Sequence, residues 1–209
     1  MNNFTDRQKD FLHAAIDIVS RQGFSKLTIR NVSAAVGVSE PAVYRHFPNK
    51  LALLTAMLED LQGAILPHFR TLREGADQPR ETFSNFICGL FEEFKLRPAY
   101  APFIFSEEIF HNEPQLREKL QRVLGGNIAV LTESFEALQI EKSCRTDIEA
   151  QQMALITLAS IRLAVSRWHI SGGKVRLKDL ANQLINTLST LFELGSESGT
   201  KEVQTGIRR

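Results

Sequence analysis

The chain has 209 residues but only two cysteines, one tryptophan and two tyrosines. Cys88 and Cys144 are too few for a disulfide framework, and no CxxC spacing accompanies them, so a reduced compartment is the simpler setting. No run of about 18 apolar residues is present, which removes the usual signature of a membrane-spanning helix. The start, MNNFTDRQKDF, has an acid within six residues and no apolar leader core, so a cytoplasmic protein without membrane association is expected. Excess charge is also lacking: the net value is +1, which excludes a polycationic nucleic-acid glue. Catalytic signatures are missing as well. The chain carries no GxSxG, P-loop, GxGxxG or HExxH, and its scattered acids are not paired around a nucleophile. No catalytic residue, metal site or cofactor is therefore expected.

Alternating β-branched segments are absent too, whereas the 3.6-residue period is nearly everywhere. The chain reads as all-α, with about nine helices. Thr5 and Gln8 form a capping box for a first helix with Phe11, Ala15, Ile18 and Val19 on one face, ended by Gly23. Thr28 is placed to cap a second helix that stops at Gly37. Ser39 is placed to cap a third, with Pro41 in its first turn and Pro48 limiting it to about two turns. Asn49 starts a fourth helix carrying Leu51, Leu54, Leu58, Leu61 and Ile65 towards Pro67. Beyond GADQP (75–79), Phe83, Phe86, Ile87, Leu90, Phe91 and Phe94 make a wide apolar stripe. Pro98 and Pro102 bracket a break before a short helix through FIFSEEIF. NEPQ (112–115) then opens a long helix with an Asn cap, and Gly125 and Gly126 inside it suggest a kink or a close ligand approach. Thr146 and Glu149 read as a second capping box, opening a helix to about Ile170 that is apolar on most of its circumference and so demands burial on nearly all sides. A last helix spaces Leu177, Leu180, Leu184, Leu188 and Leu191 by threes and fours, and the tail from Gly195 is polar and expected to be mobile. The expected division is 1–50, a three-helix unit; 51–75, a connecting helix; 76–194, a larger helical domain; and 195–209, a flexible tail.

Two short helices around a glycine turn, flanked by supporting helices, make a helix-turn-helix. In it Val38 plugs the gap beneath the turn, while Ala34, Ala35 and Ala42 let the helices cross closely. The segment TIRNVSAAVGVSEPAVYRHFPNK (28–50) resembles the DNA-binding segment of TetR-family regulators, with a threonine opening helix 2, a Tyr-x-His-Phe run ending helix 3 and a lysine opening helix 4. The resemblance implies that Thr28, Tyr44, His46 and Lys50 contact DNA phosphates. Base reading then falls to Ser39, Glu40, Pro41, Ala42 and Arg45: arginine suits guanine, an acid suits a cytosine amino group, and small apolar groups suit a thymine methyl. Two of these have rival readings, Glu40 as a solvated first-turn acid and Tyr44 as a residue packed on helix 1. Residues 1–50 hold seven basic side chains against four acidic ones, an excess of three.

The family likeness also implies a homodimer through the last two long helices, binding a palindromic double-stranded operator, and a small hydrophobic effector bound in the middle domain. The protein is expected to be a repressor released by that effector; a DNA-binding or architectural protein with no ligand is the alternative. Seven of the fourteen phenylalanines fall between residues 83 and 110. Phe86, Leu90, Phe94, Phe103, Phe110, Leu124, Ile128 and Leu131 form the candidate wall of an apolar cavity. Nearby polar groups are Ser106, Glu107, Glu108, His111, Arg162, Arg167 and His169. Arg162 interrupts an apolar helix, which leaves two readings, a cross-dimer ion pair or an anchor for an anionic ligand head.

Overall fold

A computed structural model describes residues 4–74, 78–105 and 113–195, the side chains of residues 73 and 74 excepted. Among the described residues there are nine α-helices and no strand. They are α1 (Asp6–Gln22), α2 (Ile29–Val36), α3 (Glu40–Tyr44), α4 (Lys50–Glu74), α5 (Pro79–Leu96), α6 (Tyr100–Ile104), α7 (Pro114–Ile140), α8 (Ala150–Ile170) and α9 (Leu177–Phe192). A single 3₁₀ turn, Phe24–Lys26, lies between α1 and α2 and was not foreseen. None of the helices is long and apolar enough to cross a membrane among the described residues.

The N-terminal boundaries follow local chemistry. The Thr5–Gln8 capping box is present with both reciprocal hydrogen bonds. Thr28 Oγ1 accepts from the Asn31 amide at 3.1 Å, and the Asn31 side chain donates back to the Lys26 carbonyl at 2.7 Å, which locks the entry to α2. At its exit Gly37 sits in the left-handed region (φ 74°, ψ 35°), and the Val38 amide bonds the Ser33 carbonyl at 2.9 Å. Ser39 departs from expectation. Its backbone is in the cap position but its hydroxyl makes no capping bond, and the turn is closed by the Ala42 amide on the Ser39 carbonyl at 2.9 Å. Ala34 and Ala35 are exposed and not wedged between helices; the buried small residue of α2 is Ser33, whose hydroxyl bonds the Arg30 carbonyl.

Pro67 lies inside α4, which continues to Glu74. Pro102 lies within α6, which begins at Tyr100, ahead of FIFSEEIF; a proline that early in a helix forfeits no intrahelical bond. The Asn112 cap, residues 106–112 and the tail from 196 lie outside the described residues. At the start of α8, Thr146 and Glu149 form no capping box: Glu149 is the cap residue by backbone alone, and neighbouring Arg145 instead grips Asp147 at 2.5–2.6 Å and donates to the Leu191 carbonyl at 3.0 Å. α7 runs uninterrupted through Gly125 and Gly126, and open space faces both.

The helices form a head and a body that share α4. In the head, α1 packs on α2 and α4 around Phe11, Leu12, Val32, Val43 and Phe47. In the body, α5 and α7 pack on α4, α8 packs on α7, and α9 packs on α5 and α8. Five phenylalanines make the solid part of that core: Phe69 meets Phe86 edge-on at 4.9 Å, and Phe83, Phe135 and Phe192 continue the chain of ring contacts. α8 is not buried on all sides, since Leu163 and Ile170 remain 63% and 81% exposed.

The two cysteines differ in environment. Cys88 is exposed, while Cys144 is buried and its pKa is pushed up to about 11 by burial. At pH 8 a disulfide reagent such as Ellman's is expected to label one thiol of the native chain rapidly and the second only in denaturant. Two equally fast thiols in the native protein would contradict this packing.

Candidate DNA interface and effector cavity

The third helix buries Val43, and the following turn buries Phe47, both in the head core, which turns Pro41, Tyr44 and Arg45 outward together. Ser39 is exposed beside them, and Glu40 and Ala42 are half-buried. Tyr44 is 45% exposed and not packed under α1. His46 is half-buried with its ring 5.5 Å from that of Phe11, and Lys50, at the start of α4, holds its ammonium over the Phe24 ring at 5.3 Å. Thr28 is exposed at the start of α2, and its hydroxyl, already accepting from Asn31, keeps its proton free to donate.

Charge on the head is sorted by these contacts. All three acids of α1 are paired along the same helix: Asp6 with Lys9, Asp10 with Arg7 and Asp17 with Arg21. Lys26, Arg30, Arg45 and Lys50 form no ion pair among the described residues, against the single acid Glu40. The excess of three positive charges in the first fifty residues is thus carried by the helix-turn-helix and its flanks.

A cavity of about 340 Å³ lies in the body, walled by α4, α5, α6, α7 and α8. Leu90, Phe94, Leu124, Ile128 and Arg162 line it, as the sequence suggested. Phe86, Phe103 and Leu131 do not. Phe86 belongs to the solid phenylalanine cluster, Leu131 borders a separate cleft with Phe83 and Phe135, and Phe103 turns towards the head and stacks on Phe24 at 6.2 Å. Phe110 lies outside the described residues. Much of the wall had not been foreseen: α4 supplies Leu58, Leu61, Gln62, Ile65 and Phe69, and α6 supplies Ile104 with the adjoining Phe105. The usable signal was Gln62, a polar residue set into the apolar stripe of α4.

Three polar anchors hold α4 beside this cavity. The Tyr100 hydroxyl donates to Asp60 Oδ2 at 2.5 Å, with Arg97 Nε 3.8 Å from the same oxygen. Lys119 of α7 pairs with Glu59. His68 Nε2 stands 3.5 Å from Glu93 Oε1, itself bonded by Arg97, and the His68 ring lies so close over α5 that a side chain at position 89 would have to displace it. Burial and the Asp60 carboxylate hold the Tyr100 hydroxyl far above the usual phenol range, so it remains a donor at every ordinary pH. Among the described residues no cluster of His, Cys, Asp or Glu is arranged to hold a metal.

The architecture defines a class: an all-helical protein with an exposed recognition helix at one end and an apolar cavity at the other. Residues 11–57 match the profile of the bacterial regulatory proteins of the tetR family. Among curated proteins it is similar to the nucleoid occlusion factor SlmA of Actinobacillus pleuropneumoniae, 22% identical over 122 residues, covering 58% of this chain and 60% of the relative. The match thus spans about three fifths of that relative's length. Among solved structures, the fatty acid degradation regulator FadR of Bacillus halodurans superposes with a TM-score of 0.75 at 16% identity, covering 90% of this chain and 96% of FadR. A SmeT–triclosan complex gives a TM-score of 0.75 at 17% identity, covering 93% and 94%. At these identities the structural likeness establishes the fold.

Tyr100→Phe keeps the ring and deletes the donor to Asp60. It is expected to cost about 1–2 kcal/mol, seen as a lower urea midpoint at unchanged slope. An unchanged midpoint would remove this hydrogen bond from the anchors of α4.

Proposed function

We propose that the protein is a homodimeric transcriptional repressor that binds a palindromic operator and releases it when a small hydrophobic effector fills the α4–α8 cavity. The observation that carries the reading is the set of cations in the helix-turn-helix and its flanks, Lys26, Arg30, Arg45 and Lys50, without ion-pair partners among the described residues. A helix of five residues fits within a major groove about 12 Å wide. Thr28, Tyr44, His46 and Lys50 take the phosphate-gripping role, and phosphate contacts position a protein without reading sequence. Ser39, Pro41, Ala42 and Arg45 take the reading role, Arg45 above all because its fork suits guanine. Glu40 sits at the first turn of α3, where the helix dipole favours an acid, and also borders the reading face.

Dimerisation is supported by what the single chain leaves uncovered. On α8, Leu163 and Ile170 are exposed seven residues apart, and on α9 Leu184 and Leu191 repeat the spacing with Leu184 half-buried. Such paired stripes suit an intersubunit four-helix bundle, and a two-fold axis sets two recognition helices about 34 Å apart on one side of the duplex. The cavity supports effector control, because its wall includes α4, the helix that also starts at Lys50. A ligand that fits one position of α4 better than another shifts the spacing of the heads. SmeT is seen with triclosan, and FadR is named for fatty acid degradation, which agrees with an apolar effector here. An architectural protein with no ligand would have no use for such a cavity.

Selection of bound duplexes from a random pool, followed by footprinting, is expected to return one palindrome with half-sites about one helical turn apart. Uniform protection of unrelated sequences would sink the regulator reading. On that palindrome, Lys50→Ala is expected to weaken every duplex about equally and to lower the salt slope by about one per subunit, whereas Arg45→Ala erodes discrimination at one base pair by about 1–3 kcal/mol. Identical behaviour of the two variants would remove the division between grip and reader.

A further inference from the structure

Resting on the effector-cavity reading above, we propose that the effector is a monocarboxylate with an apolar tail, its head held by Arg162. Twenty residues line the cavity, and Arg162 is the one charged side chain among them; Gln62 and Asn127 are the only other strongly polar groups. No described acid lies within ion-pair distance of Arg162. Its guanidinium carbon stands 5.0 Å from the centroid of the Phe105 ring, another residue of the wall. The guanidinium therefore has an aromatic neighbour and no described ion-pair partner.

Arg162 is exposed at the open side of the cavity, and its guanidinium stays charged at any ordinary pH. What complements it is an anion that accepts two parallel N–H bonds, and a carboxylate matches that fork. The charge balance sets the valence. One cation, with no second basic residue among the described residues of the wall, neutralises one negative charge, which favours a monocarboxylate over a phosphate monoester. The rest of the wall, Leu90, Phe94, Leu120, Ile128 and similar residues, asks for an apolar tail, and about 340 Å³ lies at the small end of ordinary ligand pockets.

The alternative use of Arg162, an ion pair across a dimer, is separable. Decanoate, decanol and decylamine share one tail and differ in head charge. Their affinities for the full chain and for Arg162→Gln are measured by isothermal titration calorimetry below the concentrations at which they self-associate. Decanoate is expected to bind about 10- to 100-fold more tightly than decanol, with decylamine weakest. In Arg162→Gln the acid-to-alcohol ratio is expected to fall to about one while decanol affinity holds, which also shows that the variant is folded. Arg162→Lys is expected to retain part of the preference. A ratio near one in the unaltered protein, or a ratio that survives Arg162→Gln, overturns the assignment. So does a variant that keeps the ratio but sediments as a monomer, which places Arg162 at the interface between copies. If decanol binds and releases the operator as well as decanoate does, the effector cavity stands and the anion falls; if none of the three binds, both fall.

Discussion

The constraint on which the molecule depends is that α4 belongs to two cores at once. Its first turns complete the head around Phe11 and Val43, and its later turns complete the body through Phe69 and wall the cavity through Leu58, Leu61 and Ile65. A helix in that position has few independent movements. The bonds from Tyr100 and Arg97 to Asp60, from Lys119 to Glu59 and from His68 to Glu93 tie it to α6, α7 and α5 at two levels, one at Glu59 and Asp60 and one at His68. These are directional contacts, unlike the apolar packing beside them, so they tolerate sliding poorly and hold one register.

The body divides into a filled end and a hollow end. Phe69, Phe83, Phe86, Phe135 and Phe192 fill one with edge-to-face rings drawn from α4, α5, α7 and α9. Packing of that density resists repacking. The hollow end has the aliphatic and aromatic wall without the facing rings, and α6 closes it towards the head. Phe103 and Phe105 are two residues apart on this short segment, and they face opposite partners: Phe24 of the head, under the Lys50 ammonium, and Arg162 of the cavity.

Much of this was legible in the chain. Helices were readable wherever a stripe or cap was local: the Thr5 box, the Thr28 cap and Gly37 each act through residues at most five positions away. The errors came where a local rule had two outcomes. Pro102 was read as bounding a break, yet it sits early in its helix. Thr146 and Glu149 have capping-box spacing, but Arg145 draws Asp147 away and ties the turn to α9, a contact set by distant chain. For the cavity, phenylalanine content marked the region and not the wall. Phe86 and Phe94 stand eight residues apart on a single stripe, one in solid core and one on the hollow, and only the neighbouring helices decide between them.

The self-paired charges of α1 bear on how the head meets its target, and not only on how tightly it holds. With its acids and three of its bases cancelled along one helix, α1 presents almost no net field, and the uncompensated cations sit on the helix-turn-helix and its flanks. Such a distribution is a lopsided charge and not a uniform one, so an approaching polyanion exerts a torque as well as a pull. Physiological salt screens this beyond about 8 Å, which confines the reorientation to the last moments of encounter. The head can then travel as an electrically quiet object and turn its recognition face inward only when the duplex is already at hand.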